Sequence, residues 1–295
     1  MVAPALPPPA EPGLLGLAIA AYALAALFGL ALWWRPRLAA TEAGPAGTLP
    51  GTRLQRLAGA ALWLGLGLHT LALGLRWQAL GHGPFTTLYE VISSNLWSLT
   101  LVLALLRLAL AELRSAWLAA SPVLATLAGW ALYANPGVGH LPPTYATPLL
   151  YVHAVVGKAY LGLLLAALAL AAVPALRRRR WGARQLADTG RYGSDARLDE
   201  LAHRCAAFAF VADSLMLVVG ACWAQDAWGR YWAWDPLESW AFLSWLALAF
   251  TLHTRVTVKL APHRHALMLL GVFVLAFLTF FGVPFISTAP HKGAV

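Results

Sequence analysis

Charged residues are scarce in this chain of 295 residues. Asp, Glu, Lys and Arg together make up 11% of the sequence, whereas a soluble domain carries about 25%. Hydrophobic residues reach 60%, and this balance excludes a soluble enzyme and a disordered tail. The composition therefore predicts an all-α membrane protein in which several helices cross the lipid bilayer.

Cysteine is almost absent as well. Cys205 and Cys222 are the only two cysteines, which excludes a disulfide scaffold. They lie 17 positions apart on one predicted helix, about 25 Å at 1.5 Å per residue, so they cannot bond to each other. We interpret both as buried thiols.

Long apolar runs are what the chain has in abundance. A helix needs about 20 apolar residues to cross a bilayer, and eight such runs can be read along the sequence. The predicted helices span residues 14–34, 54–75, 91–111, 116–134, 149–175, 205–224, 239–258 and 266–285. We therefore expect a single membrane domain over residues 1–295, built as a bundle of about eight transmembrane helices.

The basic residues are divided unevenly between the two sets of loops. The formal net charge is +9, and 17 of the 21 basic residues fall in alternate loops. Cytoplasmic loops carry an excess of Lys and Arg, so both termini are predicted on the outer side, periplasmic or extracytoplasmic. The longest basic loop, about 176–204, is expected to be cytoplasmic and solvated. The excess charge thus indicates topology, with no nucleic-acid partner.

One outer loop, about 223–240, is dense in tryptophan. It holds five of the 14 tryptophans, namely Trp223, Trp228, Trp232, Trp234 and Trp240. An aromatic belt at the membrane surface explains those at the helix ends but not the three grouped between helices. Such an aromatic surface with few charges suits a flat, apolar ligand with a polar rim. The loop is predicted to be a ligand platform.

Four histidines are candidate iron ligands. His153 begins the fifth predicted helix and His291 lies in the C-terminal tail, both on the side of the tryptophan loop. Two imidazoles beside an aromatic platform predict bis-histidine ligation of a haem iron. His253 and His69 lie inside predicted helices, where ionisable residues are usually functional, although packing also explains them. They differ in depth, so a partner subunit is expected to supply the second ligand for His253.

Two charged residues also fall inside predicted helices. Lys158 and Asp213 lie at similar depths in the fifth and sixth helices, which are consecutive and antiparallel. A lone charge in the membrane costs several kcal/mol. The pattern predicts an ion pair between these two side chains.

Four stretches of sequence resemble a known family. The run Trp228–Pro236 (WGRYWAWDP) is similar to the tryptophan-rich WWD signature of haem-handling proteins in cytochrome c maturation. Gly83–Glu90 (GPFTTLYE), Leu149–His153 (LLYVH) and Leu252–Arg255 (LHTR) resemble further motifs of one group, the CcsA (ResC) family of System II cytochrome c biogenesis proteins. Thr87 stands where Asn is common in that family. The resemblance runs from about residue 54 to the end.

The resemblance implies a function and a set of site residues. In the family, haem reaches the outer WWD site, and its vinyl groups are joined to the thiols of a C-x-x-C-H motif on apocytochrome c. His153 and His291 match the outer haem ligands, and His253 matches a membrane ligand. The expected haem-binding residues of the loop are Trp223, Trp228, Tyr231, Trp232, Trp234 and Asp235, with Arg230 as a candidate partner of a propionate.

The resemblance also implies partners and a location. The substrate would be haem b, handled together with a separate CcsB (ResB)-type membrane protein as part of a cytochrome c synthase, or haem lyase. The site would face the periplasm from a multi-pass protein of the inner membrane. Three alternatives stay open: a CcmC-like loader of a haem chaperone, a haem exporter without synthase activity, and an assembly scaffold whose tryptophans only anchor the bilayer.

Overall fold

A computed structural model describes residues 10–34, 50–139, 141–186, 193–258 and 260–286, and these residues contain helices and no strands. Eight principal helices follow one another along the chain. They are α1 (Glu11–Trp34), α2 (Pro50–Leu80), α3 (Leu88–Ala109), α4 (Ser121–Tyr133), α5 (Pro148–Arg177), α6 (Asp195–Trp228), α7 (Pro236–Thr257) and α8 (Pro262–Phe281). The predicted all-α class is confirmed, and eight principal helices are present in the described residues, although not all of the eight predicted transmembrane helices are long and apolar enough to span a membrane.

Six of the eight helices are long and apolar enough to cross a membrane, namely α1, α2, α3, α5, α6 and α8. The chain is therefore a multi-pass membrane protein. Helix α7 has 22 residues but is less apolar, because Glu238, His253 and Arg255 interrupt its hydrophobic residues.

The fourth predicted helix, 116–134, is not continuous. A short α-helix, Leu113–Ala116, passes into a 3-10 turn, Trp117–Ala120, and α4 proper then has 13 residues. Pro122 lies in the first turn of α4. Proline lacks a backbone N–H and is tolerated in a helix chiefly at that position, so the helix restarts there.

Helix α6 extends well beyond the predicted 205–224. It begins at Asp195, where the Ser194 side chain accepts a hydrogen bond from the backbone N–H of Arg197. The basic loop predicted over about 176–204 is therefore shorter, and it contains a small helix, Arg180–Gln185. An apolar run marks only the part of a helix that lies in the membrane, which explains why the polar first turns of α6 were missed.

Helix α5 is the centre of the bundle. It packs most extensively against α6 and also contacts α3 and α8, while α1 packs on α2. Small residues meet between the two central helices: Ala166 and Ala169 of α5 and Ala202 and Ala209 of α6 are fully buried. Small side chains let helix backbones approach closely, which is how membrane helices associate.

The predicted ion pair between Lys158 and Asp213 is wrong. Lys158 Nζ instead donates a hydrogen bond to Ser94 Oγ at 2.9 Å, from α5 to α3. Asp213 is fully buried and faces the hydroxyl group of Tyr160 on α5, not Lys158. The two side chains share a depth, but Lys158 lies on the face of α5 that meets α3.

The two cysteines differ in burial. Cys205 is buried as predicted, whereas Cys222 is exposed, so the prediction for Cys222 is wrong. Cys222 follows Gly220 by two residues, a rotation of about 200° around the helix. It therefore lies on the opposite side of α6 from the contact with α5.

Candidate functional site

Five helix ends meet around a cavity at one end of the bundle. They are the starts of α3, α5 and α7 and the ends of α6 and α8, joined by the loop after α2. The cavity has a volume of about 220 Å³. Its lining is mainly apolar and aromatic and includes Phe85, His153, Trp223, Tyr231 and Trp232. Concave, mostly apolar sites with a few polar groups are typical of small-molecule binding.

His153 lies in the second turn of α5, one wall of the cavity. The helix starts at Pro148, where the Thr147 side chain accepts a hydrogen bond from Leu149 N. His153 Nδ1 lies 3.0 Å from the carbonyl oxygen of Met216 on α6. Because a carbonyl only accepts, Nδ1 carries a proton, and in the neutral form of the ring Nε2 is the nitrogen that can ligate a metal. This is the tautomer in which imidazole ligates a metal through Nε2.

Trp223 forms a second, rigid wall. The side chain is 2% exposed, and its Nε1 donates a hydrogen bond to the carbonyl oxygen of Thr144 at 2.8 Å. The rings of Tyr145, Trp228 and His153 lie 5.2, 5.1 and 5.9 Å from its ring centroid. Trp223 therefore ties the segment before α5 to the end of α6.

The tryptophan loop itself is confined to residues 229–235. Helix α6 ends at Gly229, whose φ of 71° is a left-handed conformation that glycine adopts without strain. Trp232 lines the cavity, and Trp234 packs edge-on against it with 5.6 Å between ring centroids. Trp234 has a φ of 60° although it is not glycine. Such conformations cost about 1–3 kcal/mol and cluster at functional sites.

The end of the tryptophan loop is held by a capping box. The Asp235 side chain accepts a hydrogen bond from Glu238 N, and the Glu238 side chain accepts from Ala233 N at 2.7 Å and Asp235 N at 3.3 Å. Such reciprocal bonds satisfy backbone donors at the start of a helix. Asp235 caps α7 here, and Glu238 is the acidic residue that lines the cavity.

The segment Gly83–Glu90 forms the opposite rim. Phe85 lies edge-on to Tyr151, with ring centroids 5.0 Å apart. Glu90 Oε2 accepts hydrogen bonds from Thr86 N and Thr86 Oγ1, both at 2.9 Å. Thr87 caps α3 by accepting from Glu90 N. Threonine is a good N-cap residue because its hydroxyl oxygen satisfies a backbone donor of the first turn.

A buried arginine anchors this rim to three helices. Arg76 donates to Glu90 Oε1 at 2.8 Å, and its charge also lies 3.4 Å from Glu11 Oε2. It donates further to the carbonyl oxygens of Pro136 and Gly137, at 3.0 and 2.6 Å. The glutamate of the LYE motif is thus part of a buried charge cluster that joins α1, α2, α3 and the loop after α4.

The remaining predicted residues that the structure describes do not line the cavity. His253 is exposed on α7, about 22 Å along the helix from Glu238 at 1.5 Å per residue. Arg230 is exposed, and Trp228 supports Trp223 from behind. His291 lies outside the described residues.

His69 has a packed environment. It is fully buried, with Nδ1 3.2 Å from Tyr22 Oη and Nε2 2.9 Å from Ser93 Oγ. Both ring nitrogens are therefore engaged by α1 and α3. This arrangement favours the packing interpretation over a ligand role.

Sequence reasoning missed three contributors to the site. Tyr145 and Gly220 line the cavity, but their positions depend on how the helices pack. Glu238 could have been found, because an Asp three residues before a Glu at a predicted helix start is a capping-box pattern.

Comparison with known proteins agrees on one group. A family model described as "Cytochrome C assembly protein" matches residues 85–291. "Cytochrome c biogenesis protein CcsA" of Synechococcus sp. (strain CC9902) is 31% identical over 260 residues, covering 76% of this chain and 82% of its own length. The protein of the same name from Prochlorococcus marinus (strain MIT 9215) is 28% identical over 251 residues, covering 76% and 80%.

A solved structure shares the fold. "Cytochrome c Heme Lyase CcmF" aligns with a TM-score of 0.57 at 20% identity, over 91% of this chain. This chain spans 46% of the CcmF chain, and at this identity the likeness concerns the fold alone.

Proposed function

The chain belongs to the cytochrome c assembly protein family, with CcsA proteins among its relatives, and from that premise we propose that its aromatic cavity holds haem for covalent attachment to apocytochrome c. A role in cytochrome c biogenesis and haem handling follows from the family. The observation that carries the cavity assignment is His153, whose tautomer suits iron ligation, on the wall of an aromatic cavity.

The residues around the cavity have distinct roles in this proposal. His153 ligates the haem iron through Nε2, with His291 as the second ligand. Trp223 and Trp232 pack against the macrocycle, and Arg230 meets a propionate. Asp235 serves haem indirectly, because its capping box fixes the loop that carries Trp232.

The size of the cavity indicates how much of the ligand it encloses. Pockets for drug-sized ligands have volumes of about 300–1,000 Å³, and this cavity has about 220 Å³. We propose that it takes one edge of the haem b macrocycle. Tyr231 and Trp234, with 62% and 68% of their surface exposed, flank the part that stays accessible to apocytochrome c.

The chemistry supplied by the protein is positioning. In thioether formation the S–H of a cysteine adds across a vinyl group, so that sulfur bonds to one carbon and hydrogen to the other. Holding reacting groups in place can supply a large part of such a barrier. A macrocycle fixed by an iron ligand and an aromatic wall presents its vinyl groups in one orientation.

The charge distribution supports a cavity that faces the outer side of the inner membrane. The basic side chains Arg107, Arg177, Arg197 and Arg255 lie near the helix ends opposite the cavity. Such residues are enriched on the cytoplasmic side. His253 also lies toward that end, exposed on α7, where a CcsB-type partner would complete its coordination.

The absorption spectrum of the purified protein tests the proposal. We expect a bis-histidine haem spectrum in the wild type and its loss in His153→Ala. His263→Ala is the matched control, because His263 contacts Arg178 at the opposite end of the bundle. A wild-type protein that binds no haem, alone or with a CcsB-type partner, would overturn the proposal.

Co-expression separates attachment from delivery. With a CcsB-type partner and an apocytochrome, a synthase yields cytochrome with covalently bound haem. Bound haem that never becomes covalent would instead favour a haem loader or exporter.

A further inference from the structure

Gly220 stands at the closest approach between His153 and α6. It lies in the helix interior, one turn after Met216 and one turn before Trp223. Glycine in a helix interior costs about 1 kcal/mol relative to alanine. A Cβ atom at this position would lie 2.9 Å from both Cε1 and Nδ1 of His153, a distance that real Cβ atoms essentially never show.

The missing side chain also uncovers a hydrogen-bond acceptor. Side chains on a helix point back toward the preceding turn, so a side chain at position 220 would cover the carbonyl of Met216. That carbonyl is the partner of His153 Nδ1 at 3.0 Å. A carbonyl oxygen has two lone pairs, and it can accept from the imidazole as well as from the helix backbone.

We infer that Gly220 and the Met216 carbonyl form a seat that fixes the ring orientation and the tautomer of His153. The inference rests on the proposed function, in which His153 ligates haem iron. Gly220 is then a positioning residue that acts through His153. Hydrogen-bond partners of metal-ligating histidines orient the ring and fix its tautomer, and here a backbone carbonyl has that role.

Gly220→Ala tests the seat by adding one methyl group. Loss of a partner that orients a metal-ligating histidine lowers metal affinity about 10–100-fold. We expect Gly220→Ala to weaken haem binding by about that factor and to change the bis-histidine spectrum. Gly271→Ala on α8 is the matched control, because a Cβ there has no atom within 4 Å; it should leave haem binding unchanged.

A second readout needs no haem. In the full-length protein labelled with ¹⁵N-histidine, His153 is identified by the signals that disappear in His153→Ala. The wild type should show His153 protonated at Nδ1, and Gly220→Ala should lose that tautomer preference, whereas Gly271→Ala should keep it. Identical His153 signals in wild type and Gly220→Ala would overturn the inference, even if the wild type binds haem as proposed.

A double variant separates the seat from a folding defect. If alanine at position 220 acts through the imidazole, removing the imidazole removes the conflict. Gly220→Ala combined with His153→Ala should then be at least as stable as His153→Ala alone, because alanine is about 1 kcal/mol more favourable than glycine in a helix interior. A further loss of stability in the double variant would show that the methyl group disturbs something other than His153 and would refute the inference. A wild-type protein without bound haem would refute the proposed function. The ¹⁵N signals would still show whether Gly220 and the Met216 carbonyl fix the tautomer of His153.

Discussion

Replacing Arg76 with methionine should destabilise the whole cavity end of the bundle. Arg76 is almost completely buried, and so are its partners Glu90 and Glu11. Methionine has a similar length but neither charge nor donors. It would leave the two carboxylates without their shared cation and the carbonyls of Pro136 and Gly137 without their arginine donor.

The magnitude follows from the burial of the cluster. Breaking a buried ion pair by removing one partner costs about 3–5 kcal/mol, and we expect Arg76→Met to fall in that range. Glu90→Gln keeps an acceptor for Thr86 but loses the charged bond to Arg76, for which a cost of about 1.5–3 kcal/mol is expected. Both variants should also weaken haem binding, because Glu90 holds the rim that carries Phe85.

Unfolding in mixed micelles, followed by tryptophan fluorescence, measures these free energies. Arg204→Met is the control, because Arg204 forms an exposed pair with Glu200, with 61% and 39% of the side chains accessible. Exposed pairs contribute about 0–1 kcal/mol. If Arg76→Met costs no more than Arg204→Met, the buried cluster does not stabilise the rim and the reasoning is refuted.

Three further changes probe the loop and the packed histidine. Trp234→Gly should be about 1 kcal/mol more stable than Trp234→Ala in thermal unfolding, because only glycine adopts the left-handed conformation freely; equal stability would contradict this. Asp235→Asn should keep the haem spectrum, because Asn caps helices as well as Asp does. Asp235→Ala removes the cap and should lower the free energy of unfolding by about 1 kcal/mol. Loss of haem from Asp235→Asn would instead indicate direct contact between Asp235 and the ligand. His69→Leu should cost about 1–3 kcal/mol by leaving Tyr22 and Ser93 unpaired, with the haem spectrum retained; a lost spectrum would make His69 a ligand after all.

The six long apolar helices could be predicted because a helix that crosses a bilayer buries about 20 apolar residues in lipid. The rotation of each helix about its own axis could not be predicted from the sequence. Lys158 and Asp213 have the same depth, which a residue count provides, but Lys158 meets Ser94 because of how α3 packs on α5. The break before α4 was marked only by Pro122, within a run that is otherwise apolar.

The site could be predicted only in part, because its lining also depends on how the helices are rotated against one another. His153 and Trp232 follow from topology and composition, and the structure places both on one cavity. The contribution of Gly220 depends on the register of α5 against α6, which no local pattern specifies. For Asp235, the resemblance to the WWD signature implied ligand contact, whereas its hydrogen bonds with Glu238 are those of a helix cap.

Restoring a missing imidazole tests whether His153 ligates the haem iron. In His153→Gly the ring is removed while the Met216 carbonyl remains, so added imidazole can occupy the vacated position. We expect His153→Gly to lose the bis-histidine haem spectrum and added imidazole to restore it. A bis-histidine spectrum that persists in His153→Gly without imidazole would contradict the account, because the haem would then be held elsewhere.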